Sequence, residues 1–420
     1  MSAEQIQRRI DKLSADAAEV SAEIEAGKKR LKQITLDKCA ARAQLNAVRD
    51  PMARLPLEIS SEIFMHGLSS CPQPRAWHPP MLFLNVCNMW SSIALSMPPL
   101  WSAFHADRPV KDLSSLLDMF INRAGNRPMY ISLPQDPPQE AVTIIKLHAA
   151  RLKALKLHQC DLNLFIAAGP FLFLETLVIL GSTKYCHEAR KVPIVRMLAR
   201  CPNLAECILE GVSESIGIAI EEQPPLPHLK HIEFGKRGPF ESPWASDLTS
   251  DYALRVLSLP RLRTLLLHFR DIGLRDFRDF LRRSSPPLQK ICWDCGLLLS
   301  RGTFEDLEDC LALLPKLTHL ELFRLTPHAG EQFVAALARA DLVPNLSSIT
   351  FEGWTAFSKP WYEKLAGVLL ARRNEINIVR VVWNYQHRRE RLADDICATL
   401  QELVADGMWI HVGSPRRNLI

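Results

Sequence analysis

The sequence predicts an α/β chain in three parts: a long helix over residues 1–49, a small all-α segment over 51–104, and an irregular solenoid of parallel strands and helices over 105–420. Three observations predict it. Apolar residues recur every 3.5 positions in the first fifty, two short amphipathic stretches flank a proline-rich insertion, and the spacing L-x-x-L-x-L returns throughout the remainder. With 420 residues, 47% of them hydrophobic and 23% charged, the chain has material for a sizeable core and is neither disordered, collagenous nor a disulfide miniprotein.

The first part has no aromatic, no proline before Pro51, one glycine and eighteen charged side chains of both signs, a composition that favours one long helix. Counting four then three from Ile6 gives Ile6, Ile10, Leu13, Ala17, Val20, Ile24, Gly27, Leu31, Ile34, Lys38, Ala41, Leu45 and Val48, of which eleven of thirteen are apolar. This is a coiled-coil seam, and such a seam needs a partner helix to cover it. The partner is a second copy joined through residues 6–48, another protein, or the same segment folded back at Gly27-Lys28-Lys29. A solvated helix with no fixed partner stays open as well, because Ala17, Gly27, Lys38 and Ala41 weaken the seam.

Asp50-Pro51 ends this helix. Leu55-Pro56 followed by Glu58 reads as the start of a short helix, with proline in the first turn and an acid near the positive end of the dipole. Helical spacing then places Ile59, Ile63 and Phe64 on one face, and Val86, Trp90, Ile93 and Ala94 likewise in the second stretch. Two or three short helices in fifty residues make a core too small to stand comfortably alone, so a partner groove or the neighbouring solenoid is expected to cover the surplus apolar surface. The run Ala76 to Ala106 lacks Asp, Glu, Lys and Arg. Only 17 residues separate its two proline pairs and they include Asn85 and Asn88, so no membrane role is expected.

The third part repeats L-x-x-L-x-L nine times: Leu152/Leu155/Leu157, Leu174/Leu177/Ile179, Leu204/Cys207/Leu209, Leu229/Ile232/Phe234, Leu262/Leu265/Leu267, Leu288/Ile291/Trp293, Leu317/Leu320/Leu322, Leu346/Ile349/Phe351 and Ile378/Val381/Trp383. Pro202, Pro227, Pro260, Pro287, Pro315 and Pro344 stand one or two residues ahead of their copies. The mean spacing of about 28 residues lies in the leucine-rich-repeat range. Helical spacing fills the gaps, as in Val195/Leu198, Phe277/Phe280/Leu281 and Phe304/Leu307/Leu311/Leu314. One strand–turn–helix unit cannot bury its own apolar face, so the units are expected to stack into a curved parallel sheet with helices outside. Only the first copy, Leu152 to Leu162, carries the full pattern with Cys160, so an irregular arc without an Asn/Cys ladder is expected, its repeats lengthened at Gly211 to Pro227 and Gly235 to Leu248.

Strand alternation turns the second and third pattern residues inward and the residues beside them to the concave side. That surface includes Lys156, His158, Glu206, Glu210, His231, Glu233, Leu266, His268, Lys290, Asp294, His319, Glu321, Phe323, Thr350, Glu352, Arg380 and Asn384. Mixed charge with a few apolar groups suits a protein ligand better than phosphate or lipid; a solvated face without ligand is the alternative.

Other chemistry is sparse. Lys+Arg 51 against Asp+Glu 46 gives a scattered +5, so no nucleic-acid partner is expected. Eleven cysteines without framework spacing point to a reducing compartment, the cytoplasm and/or nucleus. Cys292-x-x-Cys295 lacks a second pair and His228-x-x-His231 lacks further ligands, so neither metal nor cofactor is expected. GxxxxGK[ST], GxGxxG, GxSxG and HExxH are all missing, and the chain is not expected to be an enzyme.

Together the segment PMARLPLEISSEIFMHGL, the second half MLFLNVCNMWSSIALSMPPLWSAF and the repeats behind them resemble the F-box proteins with degenerate leucine-rich repeats that form large fungal families. The matching residues are Leu55-Pro56-x-Glu58-Ile59, Glu62-Ile63-Phe64, Val86-Cys87-x-x-Trp90, Ile93-Ala94-Leu95 and Pro99-Leu100-Trp101. The resemblance implies an F-box over 51–104 that binds a Skp-type adaptor of a cullin-RING ubiquitin ligase, with Leu55, Pro56, Ile59, Ile63, Phe64, Val86 and Trp90 as contacts, and a solenoid that holds an unknown protein substrate. Asn88-Met89 stand where the family usually carries basic residues. The alternative is a non-catalytic leucine-rich-repeat scaffold assembled through its coiled coil, without ubiquitin-ligase function. A third class, a hydrolase hidden in the repeats, would need a converging cluster of titratable side chains.

Overall fold

The structure, a computed structural model, describes residues 3–69, 72–181, 190–214, 226–235, 249–267, 273–295, 304–353, 356–383, 392–415 and 417–420. The chain divides into two compact units, Met1–His105 with Met119–Arg127, and Ala106–Asp118 with Pro128–Ile420.

In the first unit one helix runs unbroken over Ala3–Arg49, about 70 Å at 1.5 Å per residue. It passes straight through Gly27, so the fold-back at Gly27-Lys28-Lys29 is corrected: one glycine without proline costs only about 1 kcal/mol and does not stop a helix. Asp50 ends it in extended backbone. Its carboxylate accepts the Met52 amide at 2.9 Å, capping the 3-10 turn Pro51–Arg54, and the Trp90 indole N–H at 2.5 Å. The short helix Leu57–His66 begins after Pro56 with Glu58 in its first turn. Phe64 lies in the core against Phe83 (4.3 Å between centroids) and Trp90 (5.0 Å). The next helix, Asn88–Ser96, buries Ile93 and Ala94, and the Trp101 indole donates to the Ala94 carbonyl at 2.8 Å. Trp101 and Phe104 then pack edge-on against Phe120.

The second unit is a large, mostly parallel sheet with helices between most successive strands. The strands Met129–Leu133, Leu152–His158, Thr176–Leu180, Glu206–Glu210, His231–Phe234, Thr264–Leu267, Lys290–Asp294, His319–Leu325, Ser348–Gly353, Ile378–Trp383 and Trp409–Ser414 lie side by side in chain order, each parallel to the next. A short strand, Arg417–Asn418, closes that edge antiparallel. Arg190–Val192 and Val212–Glu214 form a separate two-stranded sheet.

The register aligns the pattern copies: Leu155, Leu177, Cys207, Ile232, Leu265, Ile291, Leu320 and Ile349 share one rung, and Leu157, Ile179, Leu209, Phe234, Leu267, Trp293, Leu322 and Phe351 another. All are buried, as are the leading leucines from Leu152 to Leu346. The ninth copy is corrected by two residues. Val379 and Val381 stand on these rungs and Ile376 is the buried leader, whereas Ile378 is exposed. Just ahead of the strands a backbone ladder replaces the missing side-chain ladder. Glu175, Ala205, Lys230, Arg263, Gln289, Thr318, Ser347 and Asn377 each donate an N–H to the carbonyl of the corresponding residue one strand back. These amides are thereby satisfied without a repeated asparagine. The expected loop lengthenings, Gly211 to Pro227 and Gly235 to Leu248, lie mostly outside the described residues.

Candidate functional site

Two surfaces carry the residues singled out from the sequence. In the first unit the short helix Leu57–His66 divides its apolar residues between two directions. Ser60 and Phe64 face inward, while Ile59 (49% exposed) and Ile63 (44%), four apart, lie in solvent, with Leu55 (40%) just ahead. The expectation that Ile59, Ile63 and Phe64 share a face is therefore corrected: one residue is a 100° step, so positions 59 and 63 are set apart from positions 60 and 64. Pro56 is exposed; Val86 and Trp90 are half-buried. Trp90 is held from behind by Asp50, and Cys87 Sγ lies 3.6 Å from the same carboxylate oxygen. Leu57 and Met89 are further exposed apolar residues that spacing did not single out.

In the second unit the residues between the buried rungs form rows of mixed character on the opposite face of the sheet, with Val178, Ile208, Leu266 and Cys292 interspersed among charged residues. Lys156, Glu233, Glu321 and Arg380 stand on one row and Glu206, His231, Lys290 and His319 on its neighbour. Lys290 and Glu321 form an ion pair at 2.7 Å, and His231 lies 3.9 Å from Glu233. Thr318 Oγ1 lies 2.8 Å from His319 Nδ1. Glu210 and Glu352 are half-buried. Three expectations are corrected: Asp294, Phe323 and Thr350 are buried. After Phe323 the strand register slips and Arg324 takes φ 49°, which brings its guanidinium onto Asp294. A left-handed residue at a bulge re-aims side chains in a way that strict alternation does not anticipate. His268 and Asn384 lie outside the described residues.

One cluster on this face has the composition of a hydrolytic triad. Ser132 Oγ donates to Asp107 Oδ1 at 2.8 Å, and His158 Nε2 lies 3.1 Å from that oxygen and 3.4 Å from Ser132 Oγ. Its wiring differs from a triad. A relay needs one ring nitrogen on the carboxylate and the other on the hydroxyl, whereas here the same nitrogen faces both. Ser132 is also fully buried, with its proton committed to Asp107. The cluster therefore ties the Met129–Leu133 and Leu152–His158 strands to the segment carrying Asp107.

Burial and then the Lys156 ammonium hold the His158 imidazole below its usual pKa, against the pull of Asp107. A His whose folded pKa is depressed is protonated first in the unfolded chain, so stability present at neutral pH is lost as pH falls through the ordinary histidine value of about 6.5. His148 shifts in the same direction, from burial and then Arg151. Urea unfolding followed at stepped pH should show this loss, and His158→Gln should flatten the slope; an unchanged slope would remove His158 from the account.

Cys292 and Cys295 are both buried, and burial pushes the Cys295 thiol upward. No group of three or more His, Cys, Asp or Glu side chains suited to a metal ion occurs among the described residues. No described helix is long and apolar enough to cross a membrane. Near the C-terminus an open pocket is lined by Phe357, Tyr362, Trp383 and Ile396, and its cation, Lys359, already pairs with Asp395 at 3.0 Å and Glu363 at 3.6 Å. No protein-family model matches the chain, and no curated protein matches it.

Proposed function

We propose that the protein is a substrate receptor of a cullin-RING ubiquitin ligase: an F-box over residues 51–104 docks a Skp-type adaptor, and a leucine-rich-repeat solenoid over 105–420 presents a protein substrate. The observation that carries this reading is the divided helix Leu57–His66. A ten-residue helix that spends Phe64 on its own core and leaves Ile59 and Ile63 in water, with Leu55 beside them in sequence, has the apolar surplus a groove on a partner would cover. The regular rungs of the parallel sheet support the repeat reading, and its mixed-charge rows suit a protein ligand.

On this reading the chain performs no bond-making step. It raises the concentration of a substrate lysine near a conjugating enzyme supplied by other subunits, a proximity effect that needs no catalytic side chain here. Co-expression of the full chain with a Skp-type adaptor tests it: the two are expected to purify together in equal amounts. Recovery of the chain alone would leave the scaffold reading, in which the N-terminal helix does the assembling and the short helices merely cap the sheet unit.

A further inference from the structure

The N-terminal helix leaves its whole seam uncovered. Ile6, Ile10, Leu13, Val20, Ile24, Leu31, Ile34, Leu45 and Val48 are between 45% and 81% exposed, and the fold-back that would have covered them within one chain does not occur. What covers the seam is decided by the charges on either side of it. With Ile10 and Leu13 as core positions a and d of the heptad, positions g and e flank them. In a parallel pair in register, each g residue faces the e residue five places later on the other helix.

For two copies of this chain that rule brings Glu23 to Lys28 and Asp37 to Arg42, each twice by symmetry. The remaining g–e combinations, Arg9–Ser14, Asp16–Ser21, Arg30–Thr35 and Gln44–Arg49, place no like charges together. Other arrangements do. Two copies aligned end to end but antiparallel set Lys28 and Arg30 each against its own copy and Glu23 against Asp37. A parallel slip by one heptad sets Arg30 against Arg42 on one side and Lys28 on the other. Like charges at these positions destabilise, so the pattern selects one orientation and one register. The weak core positions agree: in register Gly27 meets Gly27 and Lys38 meets Lys38, so each defect occurs once along the seam. A lysine at position a is compatible with a dimer because its stem covers the seam while the ammonium reaches water. Within one chain Lys28 touches Glu25 at 2.6 Å, but both side chains are largely exposed, and such a pair is too weak to hold the lysine away from Glu23 of a second copy.

We propose that residues 6–48 form a parallel, in-register two-stranded coiled coil with a second copy of this chain, so that the protein acts as a dimer. The inference stands independently of the adaptor reading.

Sedimentation equilibrium of the full chain should give twice its 47.5 kDa mass at micromolar concentration. In a Cys39→Ser background, Leu13→Cys should form a covalent dimer on mild oxidation. The pair Glu23→Lys with Asp37→Lys should raise the dimer dissociation constant about tenfold or more, and mixing that variant with a Lys28→Glu, Arg42→Glu chain should restore association. Because the altered side chains are exposed on the helix, circular dichroism of each monomer should remain native. A monomeric mass across the concentration range would overturn the proposal. So would a dimer in which Leu13→Cys cross-links only to Leu45→Cys, the antiparallel result.

Discussion

Arg372→Ala is expected to destabilise the sheet unit by about 3 kcal/mol or more, because three buried carbonyls lose their donors at about 1–3 kcal/mol each. The Arg372 side chain is 2% exposed at the C-terminal end of the Lys359–Ala371 helix. Its guanidinium donates to the carbonyls of Leu337 (3.5 Å), Leu342 (3.3 Å) and Val343 (2.7 Å), and to Glu375 at 2.8 Å. Those carbonyls end the Pro327–Leu337 helix and its following turn, where the helix supplies no donors of its own. Arg372→Met keeps the stem but none of the donors and should cost nearly as much, while Arg372→Lys, with fewer donors and no planar fork, should fall between. Urea unfolding monitored by far-ultraviolet circular dichroism measures the series. If Arg372→Met matched the native chain, the carbonyls would not depend on the guanidinium.

Phe64→Ala should cost about 3–5 kcal/mol in the first unit, whereas Ile63→Ala, one residue earlier, should change stability by less than about 1 kcal/mol. Phe64 is 1% exposed beneath Phe83 and Trp90; Ile63 is 44% exposed. The truncated phenylalanine leaves a void in a core of few rings, with little else nearby to collapse into it. Near-ultraviolet circular dichroism reports the loss, because Trp90 and Trp101 belong to that unit. Equal effects from the two substitutions would contradict the division of the helix into an inner and an outer side.

That division shows where the sequence was informative and where it was not. Period-two alternation placed sixteen rung residues correctly because a parallel sheet admits only one face-in register once leucines repeat. The last copy slipped because Ile376, Ile378, Val379, Val381, Val382 and Trp383 offer apolar residues in both alternation phases, so two frames fit; Ile378, the first residue of its strand, is exposed. Asp294 and Phe323 were misplaced for a different reason, since the left-handed Arg324 and its ion pair depend on backbone geometry thirty residues from Asp294. In the first unit helical spacing found the right residues, but neighbours 100° apart round a helix cannot be assigned to core or solvent until the inner ring, here Phe83, is known. Asp50 was legible only as a helix stop; its bonds to Trp90 and Met52 join positions 40 residues apart and two residues apart, respectively. Of the Asp107 cluster only His158 carried a repeat signal, because Asp107 and Ser132 precede the first copy.

Isothermal titration of a purified Skp-type adaptor into the full chain, and into an Ile59→Asp, Ile63→Asp variant, tests the adaptor-docking claim most directly. Both positions are exposed, so the variant should unfold at the native temperature. The native chain should bind tightly and the variant should lose affinity by about a hundredfold or more, as expected when two apolar anchors of an interface become charged. Equal affinity for the two chains, or no binding by either, would contradict the claim.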